Sequence, residues 1–135
     1  MNLDIVKLVR DCMEKIGCAS AVAGELDPHS PICIGFQSLP DIYVEQEGEH
    51  VLLWSVLPYA GPEQLSRVAA DIVAYFLPKD SEMFFCRRPL LSIVDEKLML
   101  HATVQPDYLA GAEQFASALE FFFENMCAVN EMLSQ

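Results

Sequence analysis

The sequence predicts an α+β fold: one domain with the element order α-β-β-β-α-β-β-α around a twisted, mainly antiparallel sheet. The length of 135 residues suits a single domain, expected to span residues 1–135. Apolar residues recur with helical spacing in three stretches and with strand-like patterns in five. Most links between successive strands are short, as in antiparallel hairpins.

The first predicted element is a helix over residues 3–16. Asn2 or Asp4 can cap its start, and Gly17 suits the left-handed conformation just past its end. Residues 18–31 contain one glycine and two prolines and are predicted to form mainly a loop. The apolar residues of the helix fall on one face and comprise Ile5, Val6, Val9, Cys12, Met13 and Ile16.

Three strands are predicted next, over residues 32–36, 41–45 and 50–57. In the first two strands every second residue is apolar, as in a strand with one buried face. Leu39-Pro40 is predicted to form the turn between them, and Glu47-Gly48-Glu49 the turn into the third.

The second half of the chain predicts a helix, a hairpin and a long helix. The second helix covers residues 62–77, begins at a proline that suits its first turn, and ends before Pro78. A two-strand hairpin over residues 90–104 turns at Asp95-Glu96. The third helix covers residues 109–133 and carries more apolar residues than one face needs.

Composition and charge limit the classes of partner. The chain is 53% hydrophobic with a mean hydropathy of +0.25, yet its net charge is -12. Such a charge disfavours nucleic acid and anionic membranes. The sequence contains neither a run of about 18 apolar residues that could span a bilayer nor a basic region before an apolar run. We therefore expect a cytosolic protein whose five cysteines are reduced and mostly buried.

The strand over residues 50–57 indicates a surplus of apolar surface. Six of the seven residues from Val51 to Leu57 are apolar, so both faces of this strand avoid water. A strand that is apolar on both faces has to be covered on both. Three helices are few for that task, and we expect another chain to cover the remainder.

Motifs for chemistry are absent from the sequence. The six glycines do not form a phosphate-binding loop, and no Cys-x-x-Cys or His-Glu-x-x-His pattern occurs. His29 lies near Asp27, an arrangement explained more simply by a polar loop than by a general base. The sequence therefore predicts neither an enzyme nor a cofactor. A thiol-dependent enzyme using Cys33 or Cys86 stays an alternative, as does an adaptor that binds a folded partner.

Short segments spread over nearly the whole chain resemble the class IB type III secretion chaperones, the invasion-protein-B or SpaK-like family of Gram-negative bacteria. Pro31, just before the first predicted strand, departs from the pattern. The matching segments are Leu8-Val9-Arg10-Asp11, Ile16-Gly17-Cys18, Leu26-Asp27-Pro28-His29-Ser30, Leu39-Pro40-Asp41-Ile42, Leu53-Trp54, Gln105-Pro106-Asp107-Tyr108-Leu109 and Phe115-Ala116-Ser117-Ala118-Leu119.

This resemblance implies a homodimeric chaperone of the bacterial cytoplasm that performs no chemistry and uses no nucleotide. Such proteins bind the N-terminal segments of secreted effector proteins in extended form until the secretion ATPase takes over. An extended client can also add a strand to a sheet edge, with backbone hydrogen bonds that do not depend on sequence.

Two groups of residues are the candidates for these contacts. The alternative for both groups is the ordinary core of one subunit, since one face of every element has to be core. The candidates for client binding are Val6, Val9, Ile32, Ile34, Phe36, Ile42 and Val44. The candidates for the dimer interface are Leu65, Val68, Ile72 and Phe76 of the second helix.

Overall fold

The computed structural model describes residues 3–22 and 26–135. In that part of the chain it contains three α-helices and five strands in the predicted order, which confirms the α+β prediction. None of the described helices is long and apolar enough to cross a membrane. The elements are α1 (Ile5–Lys15), β1 (Ile32–Phe36), β2 (Leu39–Glu47), β3 (His50–Val56), α2 (Pro62–Phe76), β4 (Leu90–Val94), β5 (Lys97–Thr103) and α3 (Ala112–Leu133).

The five strands form one antiparallel sheet in the order β1-β2-β3-β5-β4, so β1 and β4 are its edges. Each of the two edges pairs with one strand only. At the β1 edge the described residues form one further bridge, which joins Val22 to Ile34. In the described part of the chain β4 has no strand partner on its outer side. Unpaired edges of this kind offer backbone groups to another chain.

The core lies between the helices and one face of the sheet, called here the inner face. Ile34, Ile42 and Leu53 on this face are 0% exposed. They belong to the same buried cluster as Val9 of α1 and Phe122 of α3. The helices therefore cover the inner face, and α1 and α3 also pack on each other.

The opposite, outer face of the sheet is not buried. Tyr43, Trp54 and His101 are neighbours across three strands of this face, and each is half-buried. The Tyr43 and Trp54 rings stack at a centroid distance of 4.2 Å. Val56 on the same face is 36% exposed. The described chain thus leaves one apolar side of β3 uncovered, as the composition of this strand led us to expect.

The ends of α1 follow the capping residues in its sequence. The Asp4 carboxylate accepts a hydrogen bond from the Lys7 backbone N–H at 3.1 Å. Gly17 has a φ of 75°, and the Cys18 N–H returns to the Met13 carbonyl at 2.8 Å. Asn2, the other candidate cap, lies outside the described residues.

Two predicted boundaries were wrong. The turn before β2 is Gln37-Ser38, with Ser38 at φ 63°, and not Leu39-Pro40. Leu39 pairs with Phe36, and Pro40 falls where the β1–β2 register shifts, so its missing N–H is tolerated there. The long helix α3 begins at Ala112, because residues Pro106–Leu109 form a separate 3-10 turn.

Ser55 compensates for that register shift. Its buried hydroxyl donates to the Asp41 carbonyl at 2.8 Å. We expect Ser55→Ala to lower the free energy of unfolding by about 1–2 kcal/mol, because a buried acceptor loses its donor. Urea denaturation measures this loss. Ser117→Ala, at an exposed site, is the control, and an equal effect of the two substitutions would contradict the role given to Ser55.

Candidate client-binding groove and subunit-contact surface

An apolar groove of about 310 Å³ opens where the C-terminal end of α1, the end of β1 and the middle of α3 meet. We call it the α1–α3 groove. A larger cleft of about 720 Å³ beside the β2–β3 turn has a mixed lining that includes Leu3, Glu49 and His50. Extended clients of a chaperone contribute apolar side chains, which the α1–α3 groove suits better. Its lining consists of Met13, Ile16, Cys18, Phe36, Leu119, Glu120 and Phe123.

Met13 and Leu119 form the buried floor of the groove, and local structure explains why other lining side chains stay accessible. Phe36 is the last residue of β1, beyond the register shift, and lies only half-buried. Its ring lies 4.8 Å from that of Phe123, centroid to centroid. Ile16 is the C-cap residue of α1, the positive φ of Gly17 ends the helix there, and Ile16 and Cys18 on either side of Gly17 line the groove. The groove therefore results from the place where α1 stops.

The structure places the predicted client-binding residues mostly in the core. Phe36 lines the groove, and Val6 is half-buried on α1. The other five are between 0% and 3% exposed, because they face the core that α1, α3 and the sheet enclose, so their side chains are not accessible to a client in this state. This corrects where the accessible surface lies: Val9, Ile32, Ile34, Ile42 and Val44 are core residues of one subunit. Their role in client binding stays a prediction.

A second set of exposed apolar side chains comes from α2, β4 and the segments next to them. All seven large apolar side chains that the described chain leaves exposed come from residues 56–94, and none comes from α1, β1, β2 or α3. Exposed apolar side chains that lie next to each other, as Val73 and Leu77 do one helical turn apart, are candidates for a contact with another chain. We call them the α2–β4 surface: Val56, Val73, Leu77, Phe85, Leu90, Ile93 and Val94.

Helix α2 has apolar residues on two sides. The predicted dimer residues Leu65, Val68, Ile72 and Phe76 lie on the side that packs onto the core, where Val68 and Ile72 are 4% and 7% exposed. A contact through α2 would therefore use its other side, where Val73 and Leu77 are 54% and 66% exposed. The structure therefore corrects which side of α2 is available for a contact with another subunit. Subunit contact through α2 itself stays a prediction.

The polar candidates from the sequence do not form a reactive site. The Asp27 carboxylate accepts hydrogen bonds from the His29 backbone N–H at 2.9 Å and the Ser30 hydroxyl at 3.2 Å. The His29 backbone bond is the main cause of a lowered Asp27 pKa. This is the polar loop that the sequence indicated. Residues 3–22 and 26–135 contain no group of three or more His, Cys, Asp or Glu placed to hold a metal ion.

The expectation that most of the cysteines are buried was wrong, because only Cys12 of the five is buried and Cys33 and Cys127 are half-buried. Burial raises the pKa of Cys12 to about 11, with a smaller contribution from the Glu120 charge. Burial also raises the pKa of the Cys33 and Cys127 thiols. A raised pKa leaves less thiolate, which disfavours Cys33 as a nucleophile. Cys18 and Cys86 are exposed, and Cys18 lies in the α1–α3 groove.

We expect iodoacetamide at neutral pH to modify Cys18 and Cys86 first and Cys12 last. Cys18 and Cys86 are exposed to the reagent, whereas Cys12 is buried and its raised pKa leaves less of the reactive thiolate. Mass spectrometry of timed samples of the folded protein gives the rate at each site, and the unfolded protein in urea is the control, in which the differences should disappear. Rapid modification of Cys12 in the folded protein would contradict the burial described here.

A family model described as the invasion protein B family matches residues 17–95, more than half of the chain. The chain belongs to the invasion protein B family. This confirms the resemblance seen in the sequence and associates the protein with type III secretion. In this member of the invasion protein B family, the matched region runs from the end of α1 into the β4–β5 turn. It contains all seven residues of the α2–β4 surface and the β1 side of the groove.

Individual related proteins match over more of the chain than the family model does. The chain is 32% identical over 124 residues to the surface presentation of antigens protein SpaK of Salmonella typhimurium, covering 90% of each chain. The SpaK protein of Salmonella typhi matches equally. The crystal structure of YbjN from E. coli is similar in fold, with a TM-score of 0.56 over 98% of this chain and 92% of that one. At 15% identity the YbjN comparison shows the fold alone.

Proposed function

We propose that this protein is a chaperone of the bacterial cytoplasm that binds the N-terminal region of type III secretion effectors in extended form. In this proposal it keeps its client soluble and competent for secretion until the secretion ATPase takes the client over. The observation that carries the proposal is the open apolar groove beside a sheet edge. The protein acts by binding and needs no cofactor.

An extended client can combine two kinds of contact at this place. Its backbone can pair with β1, whose edge the described residues occupy with the single Val22–Ile34 bridge. Because β1 ends at Phe36 in the groove, a segment running along this edge reaches Phe36, Leu119 and Phe123. Backbone pairing tolerates many sequences, and the groove selects those with apolar side chains at the right spacing.

The proposal includes a homodimer formed through the α2–β4 surface. Its exposed valine, leucine, isoleucine and phenylalanine side chains come from the middle of the chain, away from the groove-lining residues. A symmetric contact would bury the same patch on both subunits. Each subunit would then keep its own α1–α3 groove open, so that one long client could wrap around both.

Co-expression with the proteins encoded beside it tests the function. We expect one of them to be kept soluble and bound through its N-terminal region, of which standard-sized interfaces on two subunits engage about 40–60 residues. Light scattering gives the stoichiometry, and hydrogen exchange of the bound segment gives its state. A segment that keeps its own fold would favour an adaptor. A protein that retains none of the encoded candidates would contradict the chaperone proposal.

A further inference from the structure

The exposed side of α3 carries charge of one sign. Helix α3 contains four charged residues over its 22 positions, and all four are glutamates. Each is exposed, and none lies within 4 Å of a cationic nitrogen in the described part of the chain. We call Glu113, Glu120, Glu124 and Glu131 the α3 ridge.

The spacing of these glutamates aligns them along the helix. They are separated by seven, four and seven positions, intervals that return to the same side of an α-helix. From Glu113 to Glu131 the ridge extends about 27 Å, at 1.5 Å per residue. That length corresponds to about eight residues of an extended chain.

The α3 ridge adjoins the α1–α3 groove. Glu120 belongs to both, since it is the one charged residue of the groove lining. Its charge contributes to the raised pKa of Cys12 on α1, which places the carboxylate close to the α1 side. Lys15, in the last turn of α1, forms no ion pair within 4 Å in the described chain. The groove is thus apolar inside and acidic along one side.

From this juxtaposition, and resting on the proposed function, we propose that the client segment is both apolar and cationic. Its apolar side chains enter the α1–α3 groove, and lysine or arginine side chains between them lie along the α3 ridge. Charge complementarity then selects cationic segments, and like charge disfavours acidic ones. The simpler explanation is that the glutamates only keep this exposed side of the helix in contact with water. In that case their position next to the groove has no effect on client binding.

Two variants of equal net charge separate these explanations. The ridge variant carries Glu→Gln at all four α3 positions. The control variant carries Glu47→Gln, Glu49→Gln, Asp95→Asn and Glu96→Gln, which remove four negative charges from the two hairpin turns outside the groove lining. All eight sites are exposed, so both variants are expected to fold. Circular dichroism and light scattering check this first.

The probes are three synthetic 20-residue peptides with identical leucine and isoleucine positions. The residues between these are partly lysine in the first peptide, glutamate in the second and serine in the third. Fluorescence anisotropy at 50 mM salt measures the binding of each peptide to the wild type and both variants. The effector segment found by co-expression is measured alongside.

We expect the lysine peptide to bind the wild type and the control variant alike, and the ridge variant about tenfold more weakly, since exposed ion pairs each change affinity about two- to fivefold. Raising the salt to 0.5 M should weaken binding to the wild type and change little in the ridge variant. Equal binding of the lysine and glutamate peptides, equal loss in both variants, or no peptide binding would overturn the inference. If the effector segment still binds in any of these cases, the chaperone proposal stands and the client-charge inference alone fails.

Discussion

Phe123→Asp is expected to weaken binding of an effector N-terminal segment by about 30- to 1000-fold, the range for a central aromatic anchor. The Phe123 ring contacts Phe36 and lines the α1–α3 groove. A carboxylate there would face the apolar side chains of the client, and its desolvation would oppose binding. Isothermal titration with the effector segment measures the change.

Phe121→Asp is the matched control for this substitution. Phe121 lies on the same helix and is also half-buried, but its ring packs against Phe84 outside the groove. Both positions touch the core, so both variants should lose some stability. Thermal unfolding shows whether each variant is folded at the temperature of the titration. If folded Phe123→Asp protein binds the segment as tightly as the wild type, the groove is not the client site.

The double substitution Val73→Glu and Leu77→Glu is expected to convert the homodimer proposed above into a folded monomer. Both side chains are more than half exposed on α2, so the fold itself should tolerate the change. At a subunit contact the two carboxylates would have to be buried against apolar surface and against their symmetry mates, which costs several kcal/mol. Light scattering at several protein concentrations measures the molar mass.

Arg67→Glu controls for charge, because it changes the net charge by the same amount on the polar side of α2. We expect this control to remain dimeric. A wild-type protein that is monomeric at high concentration, or a glutamate variant that stays dimeric, would contradict the use of the α2–β4 surface.

The order of the elements could be predicted from local sequence signals. Helix α1 has its apolar residues on one face between Asp4 and Gly17, and these two residues cap it as expected. The β4–β5 hairpin turns at Asp95-Glu96, both with positive φ. Where a local signal was ambiguous the prediction failed. Pro40 suggested a turn, but a bulge in β2 accommodates it.

The site was harder to predict because an apolar pattern does not say which face another element covers. Ile32 and Ile34 alternate correctly, yet the helices cover the face on which they lie. The accessible member of that series is Phe36, because it comes at the end of its strand. Leu119 and Phe123 of α3 were not predicted as groove residues. The signal for Phe123 was the excess of apolar residues beyond one face of that helix, whereas Leu119 belongs to the regular apolar stripe that predicts core.

The same ambiguity affected α2. Val68 and Ile72 form the more regular stripe and became core, whereas Val73 and Leu77 stayed exposed. A helix that is apolar on two sides contacts two neighbours. Sequence periodicity detects both apolar sides of α2, but it does not tell which of them is buried in the core. The exposed fractions of the side chains show which side of α2 is buried, and they depend on tertiary packing against α3 and the sheet.

Cys18 provides the most direct measurement of the central claim, that an extended effector segment occupies the α1–α3 groove. The thiol is exposed and lies in the groove, while the equally exposed Cys86 lies outside it. In a saturated complex with the effector segment, we predict that the alkylation rate of Cys18 falls at least tenfold relative to the free protein while that of Cys86 is unchanged. An undiminished Cys18 rate in that complex would contradict the claim.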